Sequence, residues 1–156
     1  MDPIKLFNTL DDFLEGQVLV IDKPLDWTSF DVVNKLRGTI RHTFNIKKIK
    51  VGHAGTLDPL ATGVLVVCTG RKTKTIDILQ AEQKTYTGTI RLGVTTPSFD
   101  SETEIDNYCD LAILDVINPR SIENASTKFI GNIDQMPPQF SAKKVDGVTA
   151  YKAARK

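Results

Sequence analysis

The sequence predicts an α+β fold with a mixed, largely antiparallel sheet flanked by helices. Three observations carry it. Two short β-rich apolar runs, Gln17–Asp22 and Val64–Cys68, read as buried strands. A third stretch, Lys84–Leu92, alternates in period two. Helical spacing recurs between the runs, but without the regular β-α alternation of a parallel sheet. The bulk numbers agree: 156 residues, 40% apolar and 25% charged, fit a globular domain and exclude a disordered or collagen-like chain.

Gln17–Asp22 ends at Lys23-Pro24, which marks a turn. Thr28 or Ser29 can cap the helix that follows. Its apolar positions are Val32, Val33, Leu36 and Ile40, with Lys35, Arg37 and Arg41 near the polar side. Gly52 to Gly63 reads as a loop, closed by the strand Val64–Cys68. Thr75–Ala81 suits a helix. In Lys84–Leu92, Tyr86, Gly88, Ile90 and Leu92 share one face. The span from Pro97 to Asp115 is acidic and polar, so a surface excursion. Pro119–Phe129 suits a helix with proline early in it. Met136-Pro137-Pro138 breaks regular structure, and Ala150–Arg155 suits a last helix.

The longest apolar run, Val64–Cys68, is far short of the ~20 residues of a membrane span. The start, Met1-Asp2-Pro3-Ile4-Lys5, lacks the pattern of a signal peptide. Two cysteines, Cys68 and Cys109, give neither a disulfide framework nor a zinc spacing. The expectation is a reduced, cytoplasmic protein.

Charge is segregated. Residues 35–74 hold nine Lys/Arg against one acid, Asp58, and residues 125–156 hold six bases against two acids. An acidic stretch, 100–124, with seven acids against Arg120, lies between them. Two basic segments around an acidic one fit a polyanion surface assembled from separate parts of the chain, or two solvated faces.

The isolated Asp58 sits in Gly52-His53-Ala54-Gly55-Thr56-Leu57-Asp58-Pro59-Leu60-Ala61-Thr62-Gly63. Pro59 restricts Asp58 to an extended backbone, which fixes where its carboxylate points. A carboxylate held above a core strand can act as nucleophile or base, or simply organise a turn. A phosphate-cradling glycine loop is the other reading, but neither common spacing of that motif occurs.

This stretch resembles the active-site signature of the TruB-type tRNA pseudouridine synthases, which isomerise uridine 55 in the T-arm. Val20-Ile21-Asp22-Lys23-Pro24 with Thr28-Ser29 resembles their first motif, departing at Asp26-Trp27, where many members carry glycine. Lys84-Thr85-Tyr86, with Leu92-Gly93, Thr96, Ser98 and Asp100, resembles the second. Phe129, Gly131, Gln135, Pro137-Pro138 and Phe140 to Lys144, with Gly147, Tyr151 and Arg155, resemble the third. The likeness runs from about Gly16 to the last residue.

The resemblance implies a pseudouridine synthase catalytic domain over 1–156, with Asp58 as nucleophile on the target nucleotide. It implies Tyr86 as the aromatic that stacks on the flipped uracil and assists proton removal; otherwise Tyr86 is a core strand residue. Lys23 matches a Lys-Pro pair near the active site, and otherwise reads as an exposed turn lysine. His53 matches a histidine that fills the gap left by flipped bases, and otherwise is structural or surface. Residues 129–156 match a thumb that closes over the T-arm, with Lys143, Lys144, Lys152 and Arg155 meeting phosphates. The partner implied is the tRNA T-arm stem-loop, with no cofactor, no metal, no membrane and no obligate protein partner. The family's later Gly-Thr-Tyr-Ile-Arg type motif has no counterpart here. The chain is therefore expected to be an incomplete domain of reduced or no activity. A non-catalytic tRNA-binding or RNA-chaperone module is the main alternative, and a small-molecule enzyme the lesser one.

Overall fold

The structure is a computed structural model. It describes residues 9–136 and the backbone of 144–145 and 148–149. The chain divides into two compact units, Met1–Tyr86 and Thr87–Lys156.

The first unit is built on three antiparallel strands, β1 (Val18–Lys23), β2 (Val51–His53) and β3 (Gly63–Thr69), in the order β1-β3-β2. β1 pairs with β3 from Val18↔Cys68 to Lys23↔Gly63, so Ile21 lies opposite Leu65 and Leu19 opposite Val67. Period-two alternation places these residues on one face. That face packs on α2 (Ser29–Thr43), whose Val32 and Val33 meet Val51, Leu65 and Val67 in the core. Ile21, Leu36, Ile49 and Leu57 pack around this cluster. Val20 and Val64, on the opposite face, are exposed.

Thr28, not Ser29, caps α2. Its hydroxyl accepts from the Asp31 N–H, and the Asp31 carboxylate accepts from the Thr28 N–H at 2.9 Å and hydroxyl at 2.6 Å, a reciprocal capping box. Those bonds, the hydroxyl's foremost, hold the Asp31 carboxyl below its ordinary range. α1 (Leu10–Glu15) leans on the far end of α2 through Phe13 and Phe44, whose ring centroids are 5.8 Å apart. After β3 the chain makes a 3-10 helix, Gly70–Thr75, that runs into α3 (Ile76–Ala81).

In the second unit β4 (Val94–Thr95) pairs with β5 (Asn107–Tyr108). The loop between them is pinned by Ser98 Oγ, 2.5 Å from an Asp100 carboxylate oxygen and 2.7 Å from Thr103 Oγ1. α4 (Leu111–Asp115) and α5 (Pro119–Ser126) follow, α5 with the expected early proline and an Asn118–Ser121 capping box. The backbones of β6 (Lys144–Val145) and β7 (Val148–Thr149) form a two-stranded ladder.

Several expectations change. Gly52 and His53, expected as the start of the loop, are strand, because pairing with Cys68 and Val67 extends the ladder into the glycine-rich segment. The expected strand Lys84–Leu92 takes no regular structure, and Tyr86, Ile90 and Leu92 are exposed. Alternation suits a strand only where an edge pairs with it. The acidic excursion holds a short hairpin and α4. The expected helix Ala150–Arg155 and most of the thumb segment lie outside the described residues.

Candidate active site

The Asp58 loop is held on both sides of Asp58. On one side Ser29, 2% exposed, takes the Leu57 N–H at 2.9 Å and returns its own hydroxyl hydrogen to the Leu57 carbonyl at 3.1 Å. On the other, the Pro59 carbonyl accepts from the Asp26 N–H at 2.9 Å and from Lys23 Nζ at 3.4 Å. The Ala61 N–H closes a turn onto the Asp58 carbonyl at 3.0 Å. Residues 57 and 59 are thus fixed to α2 and to the β1–α2 turn. The Asp58 side chain points into solvent, with no hydrogen-bond or ion-pair partner among the described residues. Gly55 (φ +112°) and Gly63 (φ +116°) bracket the segment in conformations that L side chains rarely adopt.

Lys23 is not where an exposed turn lysine or a substrate contact would be. It has 0% exposure. It continues the core face of β1, and its ammonium donates to the carbonyls of Pro24 at 2.9 Å, Trp27 at 2.5 Å and Pro59 at 3.4 Å. These three acceptors match the three hydrogens of an ammonium. Lys23 therefore sits beneath the loop and ties it to the β1–α2 turn. Asp26 in that turn has φ +64°. This left-handed geometry gives the physical reason for a glycine there, and Asp is among the side chains that tolerate it.

His53 ends β2, half-buried, with Nδ1 2.5 Å from the Gly55 carbonyl. A carbonyl only accepts, so Nδ1 carries the hydrogen and Nε2 is left as the other ring nitrogen. The ring braces the turn five residues before Asp58. Tyr86 is 71% exposed at the end of the first unit. Two residues earlier, Lys84 Cε lies 3.9 Å from where a side chain on Gly55 would begin. The segment leading to Tyr86 therefore passes the loop, but the tyrosine ring is not packed into it. Lys144 belongs to β6 by its backbone, and Lys143 and Arg155 lie outside the described residues.

Sequence reading missed Ser29 as a loop clamp, treating it only as a possible cap. The signal was its place beside Thr28, since only one of two neighbouring hydroxyls can be the cap. Among the described residues no group of His, Cys, Asp and Glu could hold a metal ion, and no helix is long and apolar enough to cross a membrane.

An exposed carboxylate on a clamped loop, with a histidine and a buried lysine behind it, is equipped for nucleophilic attack on a ligand that approaches from solvent. Residues 41–156 match the TruB family pseudouridylate synthase (N terminal domain). Among curated proteins, the chain is 56% identical over 145 residues to a "tRNA pseudouridine synthase B" of Phocaeicola vulgatus, covering 93% of this chain and 60% of that protein. It is 54% identical to the protein of the same name from Parabacteroides distasonis, again over 93% and 60%. With that of Flavobacterium johnsoniae it shares 53% over 148 residues, 94% of this chain and 63% of the relative. The chain thus spans about 60% of the length of these relatives.

Proposed function

The chain belongs to the TruB family of pseudouridylate synthases, and we propose that its residues serve the isomerisation of uridine to pseudouridine at position 55 in the T-arm of tRNA. The reaction is proposed for the protein to which these residues belong, with the cytoplasm as its place. The observation that carries the reading is the clamped loop: Leu57 and Pro59 are held on either side of an exposed Asp58.

Asp58 is the nucleophile: its carboxylate bonds transiently to the target nucleotide and is released again before the product leaves. The N-glycosidic bond between C1′ and N1 breaks, the base rotates, and C1′ bonds to C5. C5 then loses its proton and N1 gains one, so no electrons or groups enter or leave and no cofactor is required. The target nucleotide must leave the stacked loop to reach a carboxylate. Tyr86, exposed and on the segment that passes Gly55, supplies an aromatic face for the flipped base. His53 fills the space the base vacates. Lys23 and Ser29 act through the loop, as positioning residues. Lys143, Lys144 and Arg155 meet phosphates of the T-arm.

The test is tritium release from a T-arm stem-loop carrying 5-tritiated uridine, with the full-length protein that contains these residues run beside its Asp58→Asn variant. Release by the parent and none by the variant, with RNA binding unchanged, is expected. Release that survives Asp58→Asn overturns the nucleophile. A folded chain that binds the RNA, promotes its refolding and releases no tritium favours the RNA-chaperone reading.

A further inference from the structure

The first unit also carries a basic surface away from Asp58. It is a cleft of about 730 Å³ at the opposite end of α2. Ser29, which clamps the Asp58 loop, starts α2, whereas Arg41 in its last turn lines the cleft. At 1.5 Å per residue the two are roughly 18 Å apart along the helix.

Three stretches supply the cleft's cations. Arg37 and Arg41 lie four residues apart on α2, on one face. Lys47, Lys48 and Lys50 come from the segment between α2 and β2. Arg71 and Lys74 come from the 3-10 helix, where residues three apart point the same way. Leu14 and Ile49 add apolar lining. Among the described residues no Asp or Glu lines the cleft.

The cations are largely uncommitted. Arg71 pairs with Glu15 at 3.1 Å, an exposed ion pair, and Arg37 donates to the Val51 carbonyl and Asn34 at 2.9 Å each. The others have no ion pair among the described residues. Like charges gathered without acids repel one another, so the folded chain holds them together at a cost that a polyanion would remove.

We propose that this cleft is a second RNA-binding site, taking successive phosphates of the sugar–phosphate backbone at a distance from the modified nucleotide. The inference rests on the tRNA reading above for the identity of the polyanion. A compact anion is best held by converging buried donors; here most of the cations are exposed and come from three separate stretches of chain. That layout suits a run of charges such as a nucleic-acid strand presents. Backbone contacts of this kind set register and affinity without reading sequence.

The test uses charge-matched pairs in the full chain. Lys47→Gln with Lys48→Gln removes two cleft cations. Lys35→Gln with Lys72→Gln removes two from the same basic stretch that do not line the cleft. Affinity for tRNA is measured across a salt series. The cleft pair should lower the slope of log Kd against log salt by about 1.5–2, at about 0.9 for each phosphate left unneutralised. Affinity should fall at least 10-fold at low salt, equally for a T-arm stem-loop and an unrelated hairpin. The control pair should shift the slope by well under half as much. A second cleft variant, Arg71→Gln with Lys74→Gln on the facing wall, should reproduce the loss and guards against a local folding defect in the first.

Equal effects from the cleft and control pairs would reduce the cleft to net charge and overturn the site. An unchanged slope in both cleft variants overturns it too. Inorganic tripolyphosphate bound tightly by the parent and lost in the cleft pair, with RNA binding intact, would make it a small-anion site instead. Poly-glutamate that displaces RNA at equal charge would point to an acidic protein surface. Tritium release reports on Asp58 separately. Normal RNA binding by both cleft variants with Asp58-dependent release sinks the cleft alone; the expected slope change without release sinks the isomerase reading alone.

Discussion

The two ends of α2 are built on opposite principles. At the N-terminal end Ser29 and Lys23 spend their side-chain hydrogen bonds on the backbone of neighbouring turns, Thr28 and Asp31 cap the helix reciprocally, and Asp58 is left facing solvent. At the C-terminal end the exposed Lys47, Lys48 and Lys50 commit no side-chain bond within the described residues, and several cations face one cleft. One end holds an exposed carboxylate in place and tolerates little change. The other offers charge to a ligand and tolerates change in the fold well. Stability and function should therefore separate along a single helix.

The largest stability effect is expected from Lys23→Ala. Three carbonyls lose their donor in a buried site, and at about 1–3 kcal/mol for each unsatisfied buried group the total should reach about 3–5 kcal/mol after relaxation. Urea unfolding of the two proteins reads it. A loss below about 1 kcal/mol would mean that the ammonium does not bind the two turns together.

Ser29→Ala comes next, because it orphans the Leu57 N–H. About 1–3 kcal/mol of stability should go. If the clamp positions Asp58, turnover in the tritium assay should fall by more than RNA affinity does, and Ser29→Thr should restore part of it. Equal losses in turnover and binding would assign Ser29 to folding alone.

Thr28→Ala should cost about 1 kcal/mol as a lost helix cap, with the site otherwise intact. It also changes the acid limb of the stability curve. The Asp31 carboxyl titrates below its ordinary value of 3.8 because Thr28 donates to it. A depressed carboxyl contributes stability that is present above its unfolded pKa and lost as pH falls through its folded pKa. Removing the Thr28 hydroxyl should therefore flatten the loss of stability below about pH 4. Melting curves at pH 3, 4 and 7 would show it, and an unchanged acid limb would remove Thr28 as the cause.

The smallest stability effect is expected at the other end. Lys47→Gln with Lys48→Gln should change unfolding free energy by less than about 0.5 kcal/mol, while the RNA salt slope falls as expected for the cleft. A stability loss comparable to that of Ser29→Ala would erase the contrast between the two ends.

Sequence reading found β1, α2 and β3 with ends within one to three residues of those seen. Each carries its own local signal: a β-rich run, a helical period with a hydroxyl cap, and a glycine-bounded apolar run. The one acid in a basic stretch, Asp58, was visible because charge is a property of composition. Lys23 was not. A lysine after a strand reads as exposed, and its burial follows only once Pro24, Trp27 and Pro59 bring three carbonyls to one point. The alternation at Lys84–Leu92 was legible too, but a strand is completed by an edge elsewhere in the chain, and none pairs with it among the described residues.

By itself the sequence determined the fold class, the chain of motifs that resembles the TruB-type synthases, the glycine-rich loop around Asp58 and the segregation of charge. Those are carried by residue type and short spacing, which local sterics and solvation act on directly. Only the tertiary structure decided that Ser29 grips Leu57, that Lys23 lies under the loop, and that Arg37 and Arg41, residues 47–50, and Arg71 and Lys74 meet in one cleft. Such groupings join positions distant along the chain, and they exist only after the sheet and α2 have buried their shared apolar face.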